Sequence, residues 1–264
     1  MSGLVYVNDT DLSTLGVSIT RAVSGFWGGP QIRQASTPLL DRIGHVSLTD
    51  SPPADPRLAR VGGVQEAADT ASLNALLDEL KRLIYDGVVR IRPGDITDRE
   101  WEAVATLSDP TPIGGWKTRV AHQIEIVFEC QDPVAQALTP TVIDFSGGAT
   151  QMPLGTAVSQ PIIRIGDGDT DPVITLLDHR DQVLQTMSFT GTWGTGEWLE
   201  IDCENLTIID QDGAAQDGAL AIGDAFIDLN PFDGAPGTSG PFPKLQKTSG
   251  GGALAQAEYL KRWL

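Results

Sequence analysis

From about residue 135 onward, short apolar runs recur between Gly, Asp and Asn turns, roughly one every ten residues. They read PIIRIG, PVITLLD, QVLQTMSF, GEWLEID, LTIID and AFIDL. Nothing in this half shows helical periodicity. Strands this short, this evenly spaced and this well punctuated predict an antiparallel β-sandwich or barrel. With 29 Gly and 17 Pro the chain is rich in turn formers, and at 41% hydrophobic residues it can bury a core.

The first half has a different pattern. Leu4–Val7 and Val17–Thr20 read as short strands, and residues 22–56, rich in Gly, Pro and Ser, as loops and edge strands. In DTASLNALLDELKRLIYDG, apolar residues fall at Leu73, Leu76, Leu77, Leu80, Leu83 and Ile84, the spacing of one helix face. The helix is expected over about 70–86, with Asp69 or Thr70 as its cap and Gly87 ending it. GVVRIRPGD follows as a strand, while REWEAVATLSD is open between helix and strand. HQIEIVFECQDP alternates: His122, Ile124, Ile126, Phe128 and Cys130 share one face, and Gln123, Glu125, Val127 and Glu129 the other. The fold class expected is mainly β. A first α+β domain with one helix spans residues 1–138, and an antiparallel β-sandwich spans 139–264.

A formal charge of −17 opposes binding to duplex DNA or an anionic membrane through a general electrostatic surface. No window approaches 18 uninterrupted apolar residues, so no membrane span is expected, and MSGLVYVNDTDLS lacks the basic and apolar regions of a signal peptide. Cys130 and Cys203 each sit on a strand-like run in a different expected domain. They read as buried free thiols rather than a disulfide.

The search for chemistry yields no catalytic, cofactor-binding or metal site. His45, His122 and His179 have no second histidine at ligand spacing, and His122 falls on an apolar face. GDGDTDP places Asp167, Asp169, Asp171 and Asp178 at positions 1, 3, 5 and 12 of a calcium-loop pattern. Pro172 stands where that loop needs Gly, and position 12 is not Glu, so a hairpin turn between two strands is the expectation. GTWGTG lacks the Lys-Ser/Thr of a phosphate loop, and no G-x-S-x-G elbow occurs. Trp193 and Trp198 could stack on a sugar, although core packing is expected for Trp198.

Several of these pieces, in order, resemble the siphophage distal tail protein family. Phe128, Cys130, Asp132 and Pro133 match the close of its first domain, and VYVNDTDLSTLGV its opening strand and turn. The leucine helix before GVVRIRPGD stands where the family has its single helix. PLGTAVSQPIIRIGDGDTDPVITLLD is similar to the opening of its second domain, GEWLEIDCENLTIIDQDG to a hairpin within it, and AFIDLNP to a later segment. Residues 22–56 and the loop over 231–252 fall outside the resemblance.

The resemblance implies a structural virion protein, not an enzyme: a hexameric ring at the distal end of a long non-contractile tail, part of the baseplate and host-attachment apparatus. Its implied partners are copies of itself, the tail tube protein, the tape measure protein and the hub or fibre protein below. Phage DNA would pass through the lumen without specific binding, and no cofactor, metal or membrane is involved. The implied location is the virion tail tip, after assembly in the host cytoplasm. The first domain would build the ring, and a galectin-like sandwich would lie on its periphery. Six copies would carry a charge of about −100, part of it expected to line the channel and repel phosphates. The resemblance also implies a strand over 253–264, where composition favours helix. Two other functions stay open: a lectin-like host-recognition protein using Trp193, and a glycoside hydrolase using paired carboxylates.

Overall fold

A computed structural model describes residues 4–20, 36–38, 45–47, 56–113, 120–221, 224–231, 242–249 and 251–263. The chain divides into two compact units, Met1–Ala135 and Gln136–Trp263. The fold is mainly β, with a single α-helix among the described residues.

In the first unit, β1 (Val5–Val7), β2 (Thr10–Asp11), β3 (Val17–Ile19) and the pair β4 (Ser36–Pro38) and β5 (His45–Ser47) precede the long β6 (Arg57–Ala67). Helix α1 (Thr70–Ile84) follows, then β7 (Val88–Pro93), β8 (Arg99–Leu107), β9 (Thr111–Pro112) and β10 (Val120–Cys130). The main sheet runs β2-β1-β7-β8-β10-β6-β3, and every pairing given along it is antiparallel. β6 and β10 pair over their whole length, from Val120 opposite Ala67 to Cys130 opposite Arg57. Asp69 caps α1 by accepting from the Ser72 N–H at 2.8 Å, which satisfies one of the open donors of the first turn. Leu73, Leu77, Leu80 and Ile84 are buried, and the helix packs on β6, β8 and β10. That packing consumes one sheet face, where Val61, Ile91, Trp101, Ile126 and Phe128 lie buried.

After β11 (Ala135–Ala137), the second unit holds β12 (Thr141–Asp144), β13 (Thr150–Gln151), β14 (Ile162–Gly166), β15 (Val173–Leu177), β16 (Val183–Ser188), β17 (Trp198–Asp202) and β18 (Thr207–Asp210). It closes with β19 (Lys244–Ser249), β20 (Leu254–Tyr259) and β21 (Arg262–Trp263). Two antiparallel sheets, β12-β20-β14-β17-β18 and β13-β19-β15-β16, enclose one core of Ile163, Ile165, Ile174, Leu176, Leu199 and Ile201 with their neighbours. Period-two alternation fills it: in β20, Ala255, Ala257 and Tyr259 are buried while Leu254, Gln256 and Glu258 are not. The last segment is therefore a strand, against its helical composition.

One open reading is settled and three expectations need correction. REWEAVATLSD is strand β8, alternating in burial along its length. AFIDL forms no strand; it is held by an isolated bridge from Leu229 to Ser159, with Ile227 and Leu229 in the core. The loop over 231–252 contains β19, an interior strand of the four-stranded sheet. The turn after Gly166 is not a hairpin: β14 and β15 belong to different sheets, so residues 167–172 cross the sandwich. The reading of residues 22–56 lies mostly outside the described residues, apart from β4, β5 and Pro56.

Candidate assembly face

The helix covers one face of the first unit's sheet, so β7, β8, β10 and β6 present their other face outward. Strand register lines up its residues. Val88 is opposite Val104, Val104 opposite Glu129, and Glu129 opposite Leu58. This row crosses four strands near one end of the sheet, at the start of β7 and β6 and the end of β10. Its apolar members are exposed: Val88 at 62%, Val104 at 48% and Leu58 at 51%. Single exposed apolar residues are ordinary. Three in one ladder row, with only Glu129 between them, form a patch that water alone does not explain.

The rest of the face is mostly polar, with Val64 and Val127 half-buried on it, and it carries charges of both signs. Arg60 lies 3.5 Å from Glu125 on β10, and Arg90 lies 3.6 Å from Glu100 on β8. Such exposed pairs add little stability, but they leave the face without a large field of one sign. Most of the net negative charge lies elsewhere. Residues 136–264 contain 17 Asp and Glu against six Lys and Arg, a net of −11; residues 1–135 contain 18 against 12, a net of −6.

The structure disperses the other candidates. Among the described residues no group of three or more His, Cys, Asp or Glu could hold a metal ion. Asp167 accepts from Gly196 N–H at 2.9 Å, and Asp171 from Gly191 N–H at 2.9 Å. Asp169 is fully buried, paired with Lys247 at 3.1 Å and accepting from Gly252 N–H at 2.7 Å. The carboxylates thus tie the crossing loop to three different places instead of converging. Asp178 accepts from Arg180 and Gln182 N–H in its own turn. His122 is half-buried on β10 and His179 sits in an exposed turn; the His45 side chain lies outside the described residues.

Both cysteines are free and buried. Burial raises the Cys130 thiol to about 11, partly offset by the Arg57 charge, and raises Cys203 to about 12. The tryptophans exchange the roles expected of them. Trp198 is on the outer side of β17, beneath the Arg164 guanidinium at 5.9 Å, while Trp193 packs against the margin of the core.

The outer row itself is not visible in the sequence, because it exists only once strand register is fixed. The fold is similar to that of known structures. The SPP1 Dit (gp 19.1) protein, described as a paradigm of the hub adsorption apparatus in phages infecting Gram-positive bacteria, superposes with a TM-score of 0.74. The match covers 100% of both chains at 20% identity.

The chain has the Dit fold.

Chains of the phage P2 baseplate in its activated conformation match more loosely. The form with Ca gives a TM-score of 0.50 at 10% identity, covering 99% of this chain and 98% of that one. The form with Sr gives 0.52 at 9% identity, covering 98% of each. No family model and no curated protein matches the sequence.

Proposed function

We propose that this chain is a structural protein of a phage tail tip that closes into a hexameric ring. The ring joins the tail tube above to the hub or fibre protein below, with the tape measure protein and then the DNA passing through its lumen. The role is that of a joint and not of an enzyme. The observation that carries the reading is the outward sheet face bearing the Val88–Val104–Leu58 row, in a chain with the Dit fold.

A ring suits the physics of this sheet. The main path ends at β2 and β3, and an open sheet edge invites pairing with another chain. Cyclic symmetry lets identical copies satisfy such edges without open-ended growth. With the helix on the outside, the mixed-charge face turns to the lumen. The apolar row, at one end of the strands, then lies at a rim, where an adjacent tail protein seats.

The lumen electrostatics follow from the division of charge. The ring-building units of six copies carry about −36, far less than the whole assembly, because the sandwich holds most of the net negative charge. Weak net repulsion without basic patches lets DNA slide past without adhering. The protein resides in the virion after assembly in the host cytoplasm. Size-exclusion chromatography with light scattering tests the reading: a species of six chains supports it, and a monomer at every concentration, with or without the hub protein, contradicts it.

A further inference from the structure

The four strands that end the two sheets of the second unit are finished differently. Two of them are covered by the chain itself. Outside β18, Gln216 N–H donates to the Ile208 carbonyl at 2.8 Å and Asp210 N–H to the Ala214 carbonyl at 3.0 Å. Outside β16, Ala221 N–H donates to the Ser188 carbonyl and Thr190 N–H to the Ala219 carbonyl, both at 2.8 Å. Ser188 N–H donates to the Asp224 carboxylate at 2.6 Å.

The edge of β12 has no such cover. β12 ends the five-stranded sheet and pairs only with β20. Phe145 N–H, just beyond the strand, donates to the Ala255 carbonyl at 2.9 Å. Bonding along an antiparallel ladder alternates, so Ile143 and Thr141 also bond inward to β20. Val142 and Asp144 therefore turn their N–H and C=O groups away from the sheet. These backbone groups make no hydrogen bond to another described residue. The side chains alternate as well. Ile143 packs against the core, while Val142 is 56% exposed and Asp144 is exposed on the outer sheet face.

We propose that β12 receives an extended segment of another tail protein, which adds a sixth strand to this sheet. Main-chain bonds to Val142 and Asp144 hold it, and an apolar side chain covers Val142. An open edge is a template for exactly this kind of pairing, and on the covered strands the chain has already used it up. Charge fixes the chemistry of the segment. Asp144 stands on the edge, Glu258 is opposite Val142, and the unit carries a net charge of −11. A second copy of the same unit is repelled, whereas a strand that alternates a β-branched residue with Lys or Arg is attracted. The inference rests on the tail-tip reading for the source of that segment.

Photo-cross-linking in assembled phage particles tests it. p-Benzoylphenylalanine is built into the full chain at position 142 and, as a control, at position 206, an exposed turn of the same unit. Mass spectrometry of the irradiated particles should join position 142 to a Lys- or Arg-containing segment of another tail protein. Cross-links to a second copy of this chain, or no more than position 206 gives, would overturn the inference. Val142→Pro tests the backbone, because proline removes an N–H that bonds nothing in this chain and blocks strand addition. Particle yield in complementation should fall about tenfold or more with Val142→Pro and stay normal with Val142→Ala. A normal yield from a folded Val142→Pro chain also overturns it, and the cross-linking decides if that chain does not fold. Absence of the wild-type chain from particles ends the tail-tip reading. A chain present there but not joined to another protein through position 142 ends only this one.

Discussion

Val88 and Val104 stand directly opposite each other on β7 and β8, and both side chains face outward rather than into the core. A ladder pair of this kind stabilises a sheet only modestly, by roughly 0.2–1 kcal/mol. Replacing Val104 by Glu should change the stability of the free chain by less than about 1 kcal/mol, because no core contact is lost. It should instead block incorporation into tails, since it puts a second carboxylate beside Glu129 on the docking row. Complementation of a phage lacking the gene reads this out. Normal particle yield from a soluble, folded variant would remove the row from the assembly face.

Asp169 and Lys247 form the one ion pair among those described that is almost wholly buried, with side-chain exposures of 0% and 5%. Lys247 also donates to the Gly252 carbonyl, joining the sheet-crossing loop to the β19–β20 connection. Breaking a buried pair from one side leaves the other charge stranded. Lys247→Met should therefore cost about 3–5 kcal/mol in urea denaturation. A loss below about 1 kcal/mol would show that the charge is neutralised or hydrated without the lysine.

Part of this architecture was legible in the sequence and part was not, for physical reasons. Helix α1 and strand β10 declare themselves because their buried positions are apolar at the right period. β19 hides because one of its inward positions is Lys247, which reads as solvent-facing until Asp169 is seen beneath it. β6 hides too: Arg57 is buried at 6% exposure and Leu58 exposed at 51%, so its first residues invert the usual pattern. The same inversion supplies the assembly row. Leu58, Val88 and Val104 are 46 residues apart at most in sequence, and only register brings them into line.

The cap of α1 should titrate. Hydrogen bonds from the Ser72 backbone and hydroxyl hold Asp69 below its ordinary value of 3.8. Because the folded chain binds this proton more weakly than the unfolded chain, the stabilisation is complete above the ordinary value. It is lost as pH falls from there through the lowered one. Asp144 and Asp178 are lowered by similar bonds and act with the same sign. Thermal melts should shift downward below about pH 4, and Asp69→Ala should lower stability at neutral pH while reducing the acid sensitivity. An acid-side slope identical in the variant would contradict the role of the cap.

The thiols should be silent in the native state. Burial of Cys130 and Cys203 raises both well above neutrality, to about 11 and about 12, so almost no thiolate is present and neither sulfur is accessible. A thiol reagent at about pH 8 should label neither cysteine until urea unfolds the chain, and then both. Rapid labelling of the folded protein would show that one of the two cores opens readily.

The central claim is that copies of this chain close around a lumen. Negative-stain electron microscopy of the purified protein, alone and mixed with its hub protein, tests that most directly. The account predicts six-fold rings with an open centre. Single particles of one chain at every concentration, and no density for the protein at the tail tip of the intact virus, would contradict it.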